Sequence, residues 1–188
     1  MAEPVLRRGL ILDRDGVINE DGGYVYEIAK CRFIDGIFDL ASGFAARGFI
    51  IAIVTNQSGI GRGHYTEADF RDFMRWMTDE FTRHGVSIAG VYHCPDHPTE
   101  GIGPYRRHSP RRKPGPGMFL EAARDLGLDL ARSWTVGDTM TDIEAGRAAG
   151  VGTLVRYDPL APELARCDDF WVAPRLGLVT ELLARETG

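Results

Sequence analysis

Cysteine is scarce in this chain of 188 residues: Cys31, Cys94 and Cys167 are odd in number and widely spaced. That pattern excludes a disulfide framework and points to a reducing compartment. Long apolar runs are also missing. No stretch approaches the length of a membrane span, and Met1-Ala2-Glu3-Pro4 leads toward the first apolar run without an export-type segment, so no membrane partner is expected and the cytoplasm is the expected location. Nor is there an excess of positive charge. With 22 Lys and Arg against 27 Asp and Glu, the net charge of -5 argues against a nucleic-acid surface. Repeats and low-complexity tails are absent. What is present is 44% hydrophobic and 26% charged, the range of an ordinary globular protein, in a length that suits a single domain over 1–188.

The apolar pattern alternates between buried-strand runs and helical stripes. Leu10 to Leu12 reads as a strand, and Gly36 to Arg47 as a helix with Ile37, Leu40, Ala41 and Phe44 on one face. Phe49 to Val54 is a continuous β-prone run, as in a central strand covered on both sides, ended by Thr55 and Asn56. Ser58 to Gly63 follows as a glycine-rich loop. Thr66 then caps a helix with Asp69 three positions on, and Phe70, Phe73, Met74, Met77 and Phe81 form its core stripe. Further strands are predicted at 88–92, 134–136, 151–155 and 170–172, and helices at 118–126, 142–149 and 176–183. Between them, 93–116 is rich in proline and glycine and reads as an irregular insert beside the site. The alternation points to βαβ units and a mainly parallel sheet.

Four polar motifs interrupt this pattern at element ends. Asp13-Arg14-Asp15-Gly16 closes the first strand, Thr55-Asn56-Gln57-Ser58-Gly59 the second, Arg112-Lys113-Pro114 precedes a helix, and Gly137-Asp138 closes a later strand. Parallel strands empty their carboxyl ends onto one edge, so these motifs converge. A hard cation, Mg²⁺, suits Asp13, the backbone oxygen of Asp15 and Asp138 together with a phosphate oxygen. Asp142 either holds a metal-bound water or serves as a charge at the start of its helix. Asp13 is the candidate nucleophile, giving an aspartyl phosphate, and Asp15 is the candidate acid and base. Thr55 and Asn56 supply hydrogen bonds to the phosphoryl oxygens, and Lys113 supplies positive charge. The basic tract Arg106, Arg107, His108, Arg111, Arg112 and Lys113 points to a small anionic substrate beside the acidic site or, for its outer members, to solvated basic surface. The turn-forming stretch Asn19 to Tyr24 is either a ligand-facing loop or an ordinary surface turn.

These motifs resemble those of the haloacid dehalogenase superfamily and, more narrowly, the heptose-bisphosphate phosphatases, with histidinol-phosphate phosphatases as the nearest relatives. The resemblance runs from about Val5 through the last helix. It implies a three-layer, Rossmann-like α/β fold with no large cap domain and a Mg²⁺-dependent phosphoric monoester hydrolase. The implied reaction removes the 7-phosphate of D-glycero-D-manno-heptose 1,7-bisphosphate, with the anomer left open, in heptose and lipopolysaccharide biosynthesis. A small phosphorylated sugar is then the partner, and no oligomer is required. The resemblance also assigns Asp13 and Asp15 to catalysis and Asp13, Asp15 and Asp138 to magnesium. It carries substrate contacts to Asp21, Gly22, Gly23, Tyr24, Thr55, Asn56, Gln57, Ser58 and Arg112, and phosphoryl stabilisation to Lys113. Arg62 is added as a group able to orient the sugar.

At one place the sequence departs from the family. Related enzymes often carry structural zinc in this loop, but Asp96 stands at the matching histidine position, and Ser109 and Arg111 stand at two cysteine positions. A zinc site rebuilt from His93, Cys94, His97 and His108 would be chemically compatible with that metal. The expectation is a zinc-free loop. Competing functions are histidinol-phosphate or broader sugar-phosphate hydrolysis and, in a different class, a noncatalytic phosphate-binding protein.

Overall fold

The computed structural model describes residues 6–186; the leaderless start expected at Met1 to Pro4 lies outside them. Seven strands form one sheet in the order β3-β2-β1-β4-β5-β7-β6. They are β1 (Gly9–Leu12), β2 (Ile50–Asn56), β3 (Ile88–Cys94), β4 (Trp134–Gly137), β5 (Thr153–Tyr157), β6 (Ala165–Cys167) and β7 (Phe170–Ala173). All neighbours pair parallel except β6, which runs antiparallel to β7 at the edge. The helices are α1 (Ile37–Ala45), α2 (Ser58–Gly61), α3 (Glu67–Arg83), α4 (Gly117–Leu126), α5 (Met140–Ala149) and α6 (Leu176–Glu186).

Strand periodicity sorts the core into two layers. Leu10, Leu12, Ile51 and Ile53 join a cluster with Ile37, Leu40 and Phe44 of α1, the apolar stripe of α3, and Val179 and Leu182 of α6. Ile11 and Val54, of opposite parity, join Met118 and Phe119 of α4 and Ile143 of α5. Helices thus cover both faces, which is why β1 and β2 carry continuous apolar runs. The predicted stripe Phe70, Phe73, Met74, Met77 and Phe81 is buried throughout, each side chain contributing roughly 1.5–3 kcal/mol of transfer free energy. Thr66 and Asp69 form the reciprocal capping box expected of them.

Element boundaries shift where local hydrogen bonds outcompete apolar pattern. Thr55 and Asn56 are the last two residues of β2, and β3 runs on past the predicted Tyr92 through His93 and Cys94 to pair with them. The irregular stretch therefore begins at Pro95. Ser58 to Gly61, expected as loop, closes one helical turn. The strand expected at 151–155 starts at Thr153, since Gly150 in the left-handed region and the bond from Val151 N–H to the Gly146 carbonyl still belong to the end of α5. In β3 the register slips between Ile88 and Gly90, leaving Ala89 as the bulged residue beside the interior glycine. The three-residue β6 has no apolar run to announce it.

Candidate active site

Strand order reverses on either side of β1: the chain moves outward through β2 and β3, then returns to place β4 on the opposite flank of β1. The crevice beyond the carboxyl ends of β1 and β4 is the topological switch point, where open α/β sheets bind ligands. Asp13 follows β1 and Asp138 follows β4. A bond from Asp13 N–H to the Val136 carbonyl (2.9 Å) and another from Thr135 Oγ1 to the Ile11 carbonyl (3.0 Å) tie the two strand ends together.

A cleft of about 440 Å³ opens there, walled by Asp13, Asp15, Thr55, Lys113, Asp138 and Asp142 among others. Lys113 Nζ lies 2.9 Å from Asp13 Oδ1, 2.5 Å from Asp142 Oδ1 and 3.0 Å from the Val54 carbonyl, so all three of its donors are engaged. The lysine is held from behind by Asn56. The Asn56 Oδ1 accepts from Lys113 N–H (3.0 Å) and its Nδ2 donates to the Lys113 carbonyl (3.1 Å), next to a cis Lys113–Pro114 bond. That side-chain amide is therefore committed to positioning Lys113, a role the sequence reading, which gave it phosphate contacts, did not foresee.

The charges do not cancel. Burial lowers the Lys113 pKa, but Asp13 and Asp142 outweigh it and hold the ammonium protonated. Burial likewise opposes ionisation of Asp142, yet Lys113 and Thr139 draw its pKa below the ordinary carboxylate value. Lys113 and Asp142 thus form the compensated ion pair. Asp13 is left over: burial raises its pKa and the Asp142 charge adds to the rise, against the pull of Lys113. Asp138 is pushed up to about 6, first by burial and then by Asp142.

Ligand atoms of Asp13, Asp138 and Asp142 lie within 4.8 Å of one another, the only group of three or more His, Cys, Asp or Glu so gathered among the described residues. Three carboxylates against one ammonium leave a double negative charge when ionised, and all the donors are oxygens. That set fits a divalent hard cation. Two glycines make room for it. At Gly16, with φ of 81°, an added Cβ would lie 2.1 Å from Asp138 Oδ2, and at Gly137 it would lie 2.1 Å from Asp142 Cβ. Of the two readings of Asp142, the helix-start role is the one seen: one oxygen accepts from Thr139 N–H (3.0 Å) at the start of α5 while the other pairs with Lys113.

The Asp15 carboxylate belongs to a separate network. It accepts from Arg14 Nε (3.0 Å) and Nη2 (2.5 Å), Asn19 Nδ2 (3.1 Å) and Gln57 Nε2 (3.0 Å). Arg14 is completely buried beneath the ring of Phe73.

Other expected site residues divide. Asp21, Gly23, Tyr24, Gln57 and Ser58 line the cleft, whereas Gly22, Arg62 and Arg112 are not on its wall. The basic tract largely serves the insert. Arg107 pairs with buried Asp96 (3.0 Å), Arg111 donates to the His93 carbonyl (2.9 Å), and Arg112 donates to the Asp96 carbonyl (3.2 Å). Only Lys113 of that tract faces the cleft. The four zinc candidates are not gathered into a ligand cluster either. His93 instead meets Glu67 (2.9 Å) and His97 accepts from Glu100 N–H (3.0 Å), while the buried Cys94 has Asp96 beside it. Gly59 of the second motif also lines the cleft, as do Tyr65, Thr139 and Thr141, for which no role is predicted from sequence. For Tyr65 the available signal, an apolar side chain just before the cap Thr66, indicates packing at a helix start and not a site.

A family model described as HAD-hydrolase-like matches residues 110–158. The chain is 56% identical over 146 residues to a D-glycero-alpha-D-manno-heptose-1,7-bisphosphate 7-phosphatase of Burkholderia mallei, covering 78% of this chain and 77% of that one. The chain belongs to the heptose-1,7-bisphosphate 7-phosphatase family of the haloacid dehalogenase superfamily. It is 42% identical over 180 residues, 94% of each chain, to a member from Escherichia coli O6:H1 named for the beta anomer. The D,D-heptose 1,7-bisphosphate phosphatase of B. bronchiseptica, solved with magnesium and phosphate, superposes with a TM-score of 0.80 at 26% identity, covering 95% of this chain and 99% of that one. Family membership accounts for the three-layer α/β architecture and identifies the chain as a phosphatase of this superfamily.

Proposed function

We propose that the chain is a single-domain, Mg²⁺-dependent enzyme that hydrolyses the 7-phosphate of D-glycero-D-manno-heptose 1,7-bisphosphate in the cytoplasm. The observation that carries this reading is the meeting of Asp13, Lys113 and Asp138 at the switch point of a chain whose relatives are named for that reaction.

An Asp13 carboxylate oxygen attacks the phosphorus, the bond from phosphorus to the C7 oxygen breaks, and its electron pair stays on the sugar oxygen, which takes a proton from Asp15. Water then attacks the phosphorus of the aspartyl phosphate and gives a proton to Asp15. The bond to the Asp13 oxygen breaks and inorganic phosphate leaves, with Asp13 and Asp15 restored. Lys113 holds Asp13 in line and offers positive charge to the phosphoryl oxygens, with the Thr55 hydroxyl beside it. Asp13, the Asp15 backbone oxygen and Asp138 would hold Mg²⁺, and Asp142 acts through Lys113 and would hold a water of the metal. Bound Mg²⁺ supplies charge neutralisation for both the carboxylates and the phosphate. Asp21 to Tyr24, Gln57 and Ser58 border the sugar. Arg112, outside the catalytic cleft and donating to the Asp96 carbonyl, is assigned to the distal anomeric phosphate, and Arg62 to orienting the sugar.

Phosphate release from the alpha and beta bisphosphates, the matching monophosphates and histidinol phosphate, each with and without Mg²⁺, tests the assignment. Mg²⁺-dependent preference for a heptose bisphosphate is expected. A preference of about tenfold for histidinol phosphate, or about 1.4 kcal/mol of transition-state discrimination, would reverse it. Tight binding of every ligand without phosphate release would make the chain a binding protein.

A further inference from the structure

The network behind Asp15 runs through a residue so far placed only at the border of the sugar. Gln57 is almost wholly buried, and its amide has three neighbours: Nε2 donates to Asp15 Oδ2 (3.0 Å) and to Thr55 Oγ1 (2.8 Å), and Oε1 accepts from the Tyr65 hydroxyl (2.5 Å). In its ionised form, which takes the proton of the attacking water, the Asp15 carboxylate only accepts hydrogen bonds, so the amide must present nitrogen to it. Its oxygen then faces Tyr65, which must donate. Nothing in the amide itself enforces that orientation, because its oxygen and nitrogen ends have nearly the same shape. With the tyrosine hydroxyl removed, a half-turn of the amide that brings oxygen against Asp15 loses part of its penalty.

The ring of Tyr65 is fixed independently of its hydroxyl. It stacks on Tyr26 with centroids 4.7 Å apart, and Gly59 is closed to any side chain because an added Cβ would lie 2.2 Å from the ring. Arg14 and Asn19 hold Asp15 from the other side.

We propose that Tyr65 is a positioning residue for the proton transfers of this reaction: by donating to Gln57 it fixes the amide that aims the Asp15 carboxyl at the leaving-group oxygen. This rests on the role given to Asp15 above. Tyr65 touches neither phosphate nor metal ligand in this account, and its effect passes through Gln57.

The test uses Tyr65→Phe, which keeps the stacked ring, alongside Asp15→Asn and Gln57→Glu. With heptose bisphosphate, Y65F is expected to lower kcat about tenfold with KM changed less than about twofold, the scale of one well-placed hydrogen bond. With 4-nitrophenyl phosphate, whose leaving group departs without protonation, the first-turnover release of nitrophenolate is expected to stay near the wild-type rate in Y65F. Gln57→Glu, which sets a second carboxylate against Asp15, is expected to lose more kcat than Y65F. Thermal unfolding of Y65F within a few degrees of wild type accompanies this result. Equal slowing of nitrophenolate release and sugar-phosphate turnover, or unchanged turnover in Y65F while D15N is inactive, would overturn the positioning role alone. Full heptose-bisphosphate turnover by D15N would instead overturn the Asp15 assignment itself.

Discussion

At the residue scale the site is an uneven set of charges. Lys113 satisfies Asp142 and reaches Asp13, but one buried ammonium does not balance three carboxylates. Asp13→Asn is expected to abolish phosphate release while leaving the fold intact, because Asn preserves shape and removes the nucleophile. Lys113→Met is expected to cost about 2.7–4 kcal/mol in kcat/KM, the range for loss of one preorganised donor; rates within a factor of about two of wild type would contradict it. Gly16 is the less obvious member. Its positive φ and the 2.1 Å approach of Asp138 mean that Gly16→Ala should destabilise the protein by more than about 1 kcal/mol and weaken Mg²⁺ binding. Denaturant unfolding and a metal titration together check this.

At the element scale, legibility followed physical range. Long periodic segments such as α3 were readable because burial repeats every turn and the cap Thr66 sits beside its partner Asp69. Thr66→Ala should therefore cost about 1 kcal/mol of stability without altering kcat, and a changed kcat would show that α3 is coupled to the site more tightly than described. Strand ends were harder to read. Asn56 and Cys94 are paired by register between β2 and β3, which no local pattern announces. The convergence of the four motifs was legible because each ends or begins an element, and the sheet brings those ends together. The commitments of Asn56 to Lys113 and of Gln57 to Tyr65 were not, since they join residues through three-dimensional approach alone. The same reason explains the basic tract, whose charge is visible in sequence while its destination, the buried Asp96 and nearby carbonyls of the insert, is not.

At the scale of the whole molecule, metal binding and folding share the same carboxylates. Burial raises the Asp138 carboxyl to about 6, so without metal this group binds its proton more tightly when folded than when unfolded. Its stabilising contribution is present when protonated and is lost as pH rises through that value. Mg²⁺ requires the ionised form. Its affinity should accordingly increase as pH climbs through about 6, and the gap in Tm between Mg²⁺-saturated and chelator-treated protein should widen over the same interval. Saturation at about a hundred times Kd adds roughly 2.7 kcal/mol. A gap that is flat across this interval would disconnect the acidic trio from the metal. No described helix is long and apolar enough to cross a membrane, and the sheet opens its carboxyl edge at a cleft of about 440 Å³, of a size for a small substrate.

The most direct measurement is ³¹P NMR of heptose 1,7-bisphosphate turning over with Mg²⁺, in wild type and in Asp13→Asn. Loss of the C7 monoester signal with the anomeric phosphate retained, and no change at all with D13N, is the predicted result. Loss of the anomeric phosphate first, or continued hydrolysis by the purified variant, would contradict attack by Asp13 on the 7-phosphate.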